Sequence, residues 1–261
     1  MTCLIAVANE KGGVAKTTTS MSLGAALVES GSEVLLIDLD AQFNLTLAMG
    51  IEMDRVRRSI SNVLLESATP ASVSRETGIA GLDIIPSTAE MGLAERFLPL
   101  RHHYETILRE ALRNAGSLYY QYVIMDCPPF LGAVTLNALM AADLLLIPTQ
   151  PEYFSVHALK NMIGLVRKVR GQANSHLLYR ILITMHDRRN RTHRDMTEQL
   201  RSTFGSGIMD TVIDTDTKLR ECPIAGLPIT YYAPKTRAAL QYRSLAQEIN
   251  QYVEETSKQA A

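Results

Sequence analysis

The stretch Asn9-Glu10-Lys11-Gly12-Gly13-Val14-Ala15-Lys16-Thr17-Thr18-Thr19 decides the fold. It follows a short apolar run, residues 4–8, and opens a segment of helical period, residues 17–30, that Gly31 closes. A glycine-rich turn between a buried strand and a helix N-terminus is where backbone N–H groups converge on phosphate oxygens. In that arrangement Lys16 reaches the outer phosphates and the Thr17 hydroxyl ligates magnesium, while Gly12, Gly13, Val14, Ala15 and Thr18 complete the cradle. The competing reading, a plain glycine-rich turn, leaves the Lys-Thr pair at its required offset unexplained. The strict phosphate-loop pattern asks for glycine where Glu10 and Ala15 stand. Ala15 is therefore expected at an ordinary negative φ, because a methyl group is penalised at positive φ.

Outward from this loop, apolar runs of strand length alternate with helical segments. The runs cover residues 4–8, 34–38, 82–86, 122–126, 144–148, 178–185 and 208–213, and each is nearly continuous, as a strand buried on both faces should be. Helical period recurs over residues 104–114, closed near Gly116, over 157–170, closed by Gly171, and over 236–255. The alternation predicts an α/β fold: a single doubly wound, mostly parallel sheet with helices on both faces. No linker, repeat or low-complexity tract interrupts it, so residues 1–261 read as one domain without a DNA-reading extension ahead of the first strand. The irregular stretches 41–59, 67–81 and 214–234 are where ligands and partners are expected to meet the scaffold.

Composition excludes several classes. With 46% hydrophobic and 20% charged residues the chain is neither disordered nor fibrous. Lys plus Arg number 26 against 27 Asp plus Glu, which excludes a uniformly basic nucleic-acid binder while allowing a local basic patch. Cys3, Cys127 and Cys222 show neither metal-ligand nor disulfide spacing and read as buried thiols in a reducing compartment. The apolar segment 134–148 is broken by Asn137 and Asp143 and falls short of the roughly 20 residues that a membrane span needs. The N-terminus has no basic region ahead of its apolar run, so no signal peptide is expected and a cytoplasmic location follows.

Two strands end in carboxylates: Asp38-Leu39-Asp40-Ala41-Gln42 and Asp126-Cys127-Pro128-Pro129. In a parallel sheet both ends face the phosphate-loop edge. There an Asp can hold magnesium, and a second can orient water for in-line displacement; the alternative role for either is a helix cap. Lys-Gly-Gly-x-x-Lys-Thr, Asp-x-Asp-x-Gln and Asp-x-Pro-Pro, in this order, resemble the deviant phosphate-loop ATPases of the ParA and MinD group, and specifically the small, chromosomal-type ParA partition proteins. Ala41 departs from the proline usual in the second motif. The resemblance implies a deviant P-loop NTPase fold and ATP with Mg2+ as cofactors. Lys11 becomes the signature lysine, Lys16 the phosphate lysine and Asp40 the water-orienting carboxylate. Thr17, Asp40 and Asp126 are the candidate magnesium ligands, while Asp38 shapes the loop. Met185, Asp187, Arg188 and Pro223 fall in segments that resemble the family's adenine side, and Glu152 falls where it approaches Lys11 or a partner's nucleotide.

The family cycle so implied is an ATP-dependent homodimer that binds double-stranded DNA nonspecifically and is released by hydrolysis that a ParB-like or cargo-adaptor protein stimulates. Such a protein is cytoplasmic and nucleoid-associated when ATP-bound. Arg188, Arg189, Arg191, Arg194, Arg201, Lys218, Arg220, Lys235 and Arg237 are the candidate DNA contacts, and a helix over 190–204 lets three of the arginines share a face. A solvated charged face is the alternative, and Asp214, Thr215 and Asp216 stand where the family often carries basic residues. The acidic, polar C-terminus does not suit membrane binding. A nucleotide-gated adaptor that recruits a protein without DNA is the second functional reading.

Overall fold

The computed structural model describes residues 2–114 and 119–260. The strands β1 (Cys3–Val7), β2 (Val34–Asp38), β3 (Arg75–Glu76), β4 (Leu82–Ile85), β5 (Tyr122–Asp126), β6 (Leu144–Thr149), β7 (Leu178–His186) and β8 (Ile208–Asp214) form one sheet in the order β3-β4-β2-β5-β1-β6-β7-β8. Its pairings are parallel except at β3, which runs antiparallel to β4. Every apolar run read as a strand is one. The two-residue β3, Arg-Glu, carries no apolar signal and lay hidden in the irregular stretch 67–81.

The longer helices are α1 (Lys16–Glu29), α2 (Ile60–Glu66), α3 (Met91–Phe97), α4 (Ile107–Asn114), α5 (Ala133–Ala141), α6 (Ser155–Gln172), α7 (Arg191–Phe204) and α8 (Arg237–Ala260). Successive residues of a strand point to opposite faces, so Leu35 and Ile37 of β2 enter one core and Val34 and Leu36 the other. The first core is closed by Val63, Ala94, Leu108, Leu139 and Met162, with Leu200 from α7. The second is closed by α1 and α8 through Leu23, Leu27, Tyr242 and Leu245. The sheet is thus doubly wound.

Some helix boundaries differ from the sequence expectation. Residues 104–106 form a 3-10 turn ahead of α4, and the expected stop at Gly116 lies outside the described residues. Gly171 does not close α6, which continues to Gln172. The chain is instead stopped by Asn174, whose side-chain amide donates to the Leu139 and Ala142 carbonyls at 2.9 and 2.7 Å and so fastens the turn to the end of α5. Helix α5 itself gave no periodic signal because nearly every residue in it is buried, which erases the polar face that periodicity needs.

β1 lies between β5 and β6, where the strand order changes direction. That position opens a crevice at the carboxyl ends of the strands. The register there sets Val7 beside Asp126 and Asp126 beside Asp38, so the loop after β1 emerges directly next to both carboxylates.

Candidate active site

The loop from Asn9 to Lys16 is held from below. Asn9 is buried; its amide donates to the Pro148 carbonyl at 2.8 Å, and its side-chain oxygen accepts from Lys11 N at 3.0 Å. Thr184 of β7 donates its hydroxyl to the Val14 carbonyl at 3.0 Å, which ties the far side of the loop to the sheet. Gly13 has φ 72°, as a turn that gathers amides requires. Ala15 corrects the expectation: its φ is 65°, left-handed, at the residue that caps α1. The turn into the helix demands that conformation, and the chain bears the strain of the methyl group there.

Lys16 is buried, and its ammonium donates to the Lys11 carbonyl at 3.1 Å, folding the side chain across the loop. Burial lowers its pKa, and the carboxylates of Asp126 and Asp40 offset this in part. Thr17 donates to one oxygen of Asp126 at 2.8 Å and Ser20 to the other at 2.8 Å. Asp126 is pushed up to about 7, first by burial and then by the charge of Asp38, against the two hydroxyl bonds and Lys16. Asp38 is pushed up to about 6 by burial, although the Thr46 amide and hydroxyl bond it at 2.8 and 2.7 Å. Those bonds fold residues 38–46 into a closed loop, the role the sequence assigned to Asp38. Asp40 is only partly buried; Gln42 N donates to its carboxylate at 2.9 Å and Ser87 donates to its carbonyl at 2.7 Å.

These residues fit a magnesium–triphosphate group. A buried ammonium, open glycines at 12 and 13 and a hydroxyl–carboxylate pair supply cation, amides and hard oxygen donors. Among the described residues no cluster of three or more His, Cys, Asp or Glu forms a metal cage. Magnesium commonly takes one or two carboxylates and completes its shell with phosphate and water.

Lys11 has a different partner from Lys16. Its ammonium pairs with Glu152, the approach that the sequence suggested, at the edge of a cleft of about 510 Å³ lined by Glu10, Pro129, Phe130, Phe154 and His157. On the base side, Met185 sits at φ 53° and accepts from the Thr215 hydroxyl at 3.1 Å. Asp187 N donates to His193 Nδ1 at 3.1 Å, while the Asp187 carboxylate accepts from Arg189 N at 2.9 Å. Pro223 lies, half-buried, in the turn after a short helix, Lys218–Glu221.

The candidate DNA contacts separate into groups. Arg188 and Arg237 converge on buried Asp214 at 2.8 and 3.2 Å, where His186 and Gln241 also bond. Arg201 reaches Asp210, with a bond to its carbonyl at 3.1 Å, and Lys218 pairs with Glu221 at 2.7 Å. Arg189 and Arg191 face Asp187 and Asp195 loosely, both at 3.5 Å. Arg194 donates to the Arg188 carbonyl at 2.7 Å. Arg220 and Lys235 have no carboxylate within 4.0 Å among the described residues.

The sequence reading missed Ser20, Thr46, Ser87 and Asn9. Ser20 was within reach of a pattern argument, since it lies three residues after Thr17 on the same helix face. Ser87 joins its partner across 47 positions, and no local spacing announces that.

A family model described as an AAA domain matches residues 2–179. The sporulation initiation inhibitor protein Soj of Bacillus subtilis is 38% identical over 247 residues, which is 94% of this chain and 97% of that protein. The chromosome partitioning protein ParA of Caulobacter vibrioides is 36% identical over 250 residues, 94% of this chain and 93% of that one. A solved structure of cobyrinic acid a,c-diamide synthase from Mycobacterium smegmatis, with bound ADP and magnesium, superposes with a TM-score of 0.85 at 32% identity, covering 97% of this chain and 96% of that one.

Proposed function

The chain belongs to the ParA family of ATPases, and from that premise we propose that it partitions or positions a cargo through an ATP-bound dimer that holds DNA without reading its sequence. ATP and magnesium are its cofactors. Bound magnesium neutralises phosphate charge and polarises the phosphoryl group under attack. Lys16 and the loop amides hold the phosphates, Thr17 and Asp126 hold the metal side, and Asp40 orients water from the half-open end of β2.

The observation that carries this reading is the pair of lysines. Lys16 is folded inward across the loop, whereas Lys11 lines an exposed cleft, and among the described residues its ammonium pairs with Glu152. An ammonium in that place serves a phosphate from outside the chain better than one inside it. In the dimer Lys11 exchanges Glu152 for the partner's nucleotide, so a buried charge is matched only while the triphosphate is present. The loss of a phosphate on hydrolysis then weakens the interface.

DNA attachment falls to the cations that the chain leaves least engaged: Arg189, Arg191, Arg194, Arg220 and Lys235. Arg188 and Arg237 serve Asp214 instead. A ParB-like or cargo-adaptor protein is the proposed trigger of hydrolysis, and the protein works in the cytoplasm, on the nucleoid when ATP-bound. Among the described residues no helix is long and apolar enough to cross a membrane. An amide-transfer activity with a cysteine nucleophile has no support: all three thiols are buried, and burial pushes Cys3 and Cys222 up to about 12 and about 11.

Mobility shift on a random-sequence duplex, with ATP, ADP and no nucleotide at low and physiological salt, tests the reading. Binding that needs ATP and falls steeply with salt is expected. ATP binding without any DNA binding would replace this reading with the protein-recruiting adaptor.

A further inference from the structure

Beyond the phosphate loop and the two strand-end carboxylates, one more acidic side chain is built into this crevice. Glu95 lies in α3, outside every motif of the sequence. Its two carboxylate oxygens accept from the first backbone amides of α5, Ala133 N at 2.6 Å and Val134 N at 3.0 Å. Those amides are unsatisfied within the helix, and a carboxylate there also meets the positive end of the helix dipole.

The contact terminates the loop that leaves Asp126. Residues 127–132 run from the end of β5 to the start of α5, and Pro129, Phe130 and Leu131 form one wall of the cleft whose other wall holds Glu10 and Lys11. Thr135 closes the loop from the helix side by donating to the Phe130 carbonyl at 2.7 Å. Gly132 is shaped around Glu95: a Cβ added there would lie 1.9 Å from Glu95 Oε1 and 2.5 Å from Phe130 Cε2. The chain therefore leaves out a side chain where the carboxylate must pass.

The other end of α3 reaches the first acidic loop. The turn ahead of it carries Ser87, which donates its hydroxyl to the Asp40 carbonyl at 2.7 Å and its amide to Thr46 Oγ1 at 3.0 Å, and Thr46 in turn bonds Asp38. One short segment thus touches the Asp40 loop at one end and the Asp126 loop at the other.

We propose that Glu95 is a positioning residue for ATP hydrolysis, which fixes the loop 127–132 against the phosphate loop and in register with the Asp40 loop. It acts through the backbone and touches no reacting atom. The base-side segments at the ends of β7 and β8 lie across the sheet from it, so its loss disturbs the geometry of the chemical step while the binding of the nucleotide persists. The inference rests on ATP hydrolysis alone and is independent of DNA binding.

Steady-state hydrolysis, titration with a fluorescent ATP analogue and thermal melting of Glu95→Ala, Glu95→Gln, Gly132→Ala and the double variant Glu95→Ala/Gly132→Ala test it. Glu95→Ala is expected to lower kcat about tenfold and to change analogue affinity by less than about threefold. Glu95→Gln keeps one acceptor oxygen and recovers part of the loss. Gly132→Ala reproduces the kcat loss from the opposite side of the contact, because its methyl group displaces Oε1, and the double variant is no slower than the worse single one. Wild-type turnover measured alongside tests the activity itself. Unchanged kcat in both single variants would overturn the proposal, as would multiplying losses in the double variant or a fall in kcat that tracks analogue affinity and melting temperature together.

Discussion

Asp126 and Asp214 are buried aspartates at the same edge of one sheet, 1% and 2% exposed, yet their surroundings are opposite. Asp126 has two hydroxyls, a second carboxylate paired beside it in register and no cation within 4.0 Å among the described residues; burial drives it up to about 7, and the more distant charge of Lys16 offsets that only in part. Asp214 is also pushed up by burial, but bonds from His186, Gln241 and Arg188 outweigh that and hold it below its ordinary value. The first site leaves its charge for a cation from outside the chain to match. The second is already matched and serves as a fastener between β8, the base-side loop and α8. Burial alone does not mark a working carboxylate; the missing counter-charge does.

The largest effect expected from this contrast is at Asp126. Asp126→Asn removes the carboxylate proposed to serve the metal, and turnover is expected to fall by about 100-fold or more. The same change should stabilise the nucleotide-free protein by about 1 kcal/mol at neutral pH, because it removes a buried carboxylate that burial and Asp38 disfavour by more than Lys16 and the two hydroxyls return. The pH dependence gives the sign independently. Asp38 and Asp126 have native pKa values, about 6 and about 7, above the ordinary 3.8, so the native state binds more protons than the unfolded state between these limits. From these two groups, stability falls as pH rises through that window. Urea unfolding of nucleotide-free protein across it should show that slope, reduced in Asp126→Asn; an Asn variant that is both less stable and equally pH-dependent would remove the contrast.

Asp214→Asn should act with the opposite sign. It leaves Arg188, Arg237 and His186 facing a neutral amide, and a loss of about 2 kcal/mol is expected, held to that by the exposure of both arginines. Since its native pKa lies below the ordinary value, the stability it contributes is present above the unfolded pKa and is lost as pH falls through the native one. Denaturant midpoints at neutral pH measure the loss. ATP turnover should change less than stability does, and a turnover collapse like that of Asp126→Asn would show that this hub belongs to the chemistry.

The contrast also explains what was legible in the sequence. The phosphate side is local: Lys16 and Thr17 follow one strand, and Asp38 and Asp126 each end another, so strand-plus-motif reading placed all four at one edge of the sheet. The parallel sheet was legible for the same reason, because doubly buried strands are continuous apolar runs. The Asp214 hub is not local. It joins positions 186, 188, 214, 237 and 241 across two strands and a helix, so Asp214 read only as added negative charge, and two arginines that neutralise it read as DNA contacts. Glu95 escaped likewise, since the amides it bonds lie 38 and 39 residues away. Ala15 was misread for a different reason: its identity is in the sequence, but the left-handed turn that it occupies is imposed by the loop.

That residue offers the smallest effect. At φ 65° the methyl group of Ala15 costs about 1–2 kcal/mol relative to a helical conformation, and glycine would not bear that cost. Glycine also widens the unfolded ensemble, which returns about 0.4–1 kcal/mol, so Ala15→Gly should stabilise the protein by a net of about 0.5–1 kcal/mol. The loop backbone is already in the shape that glycine prefers, and the bonds from Asn9 and Thr184 that hold it do not involve the Ala15 side chain. Affinity for ATP should therefore stay close to that of the wild type. A rise in the urea midpoint with unchanged affinity places the strain in the backbone alone, whereas tighter ATP binding without added stability would mean that the methyl group obstructs the phosphates.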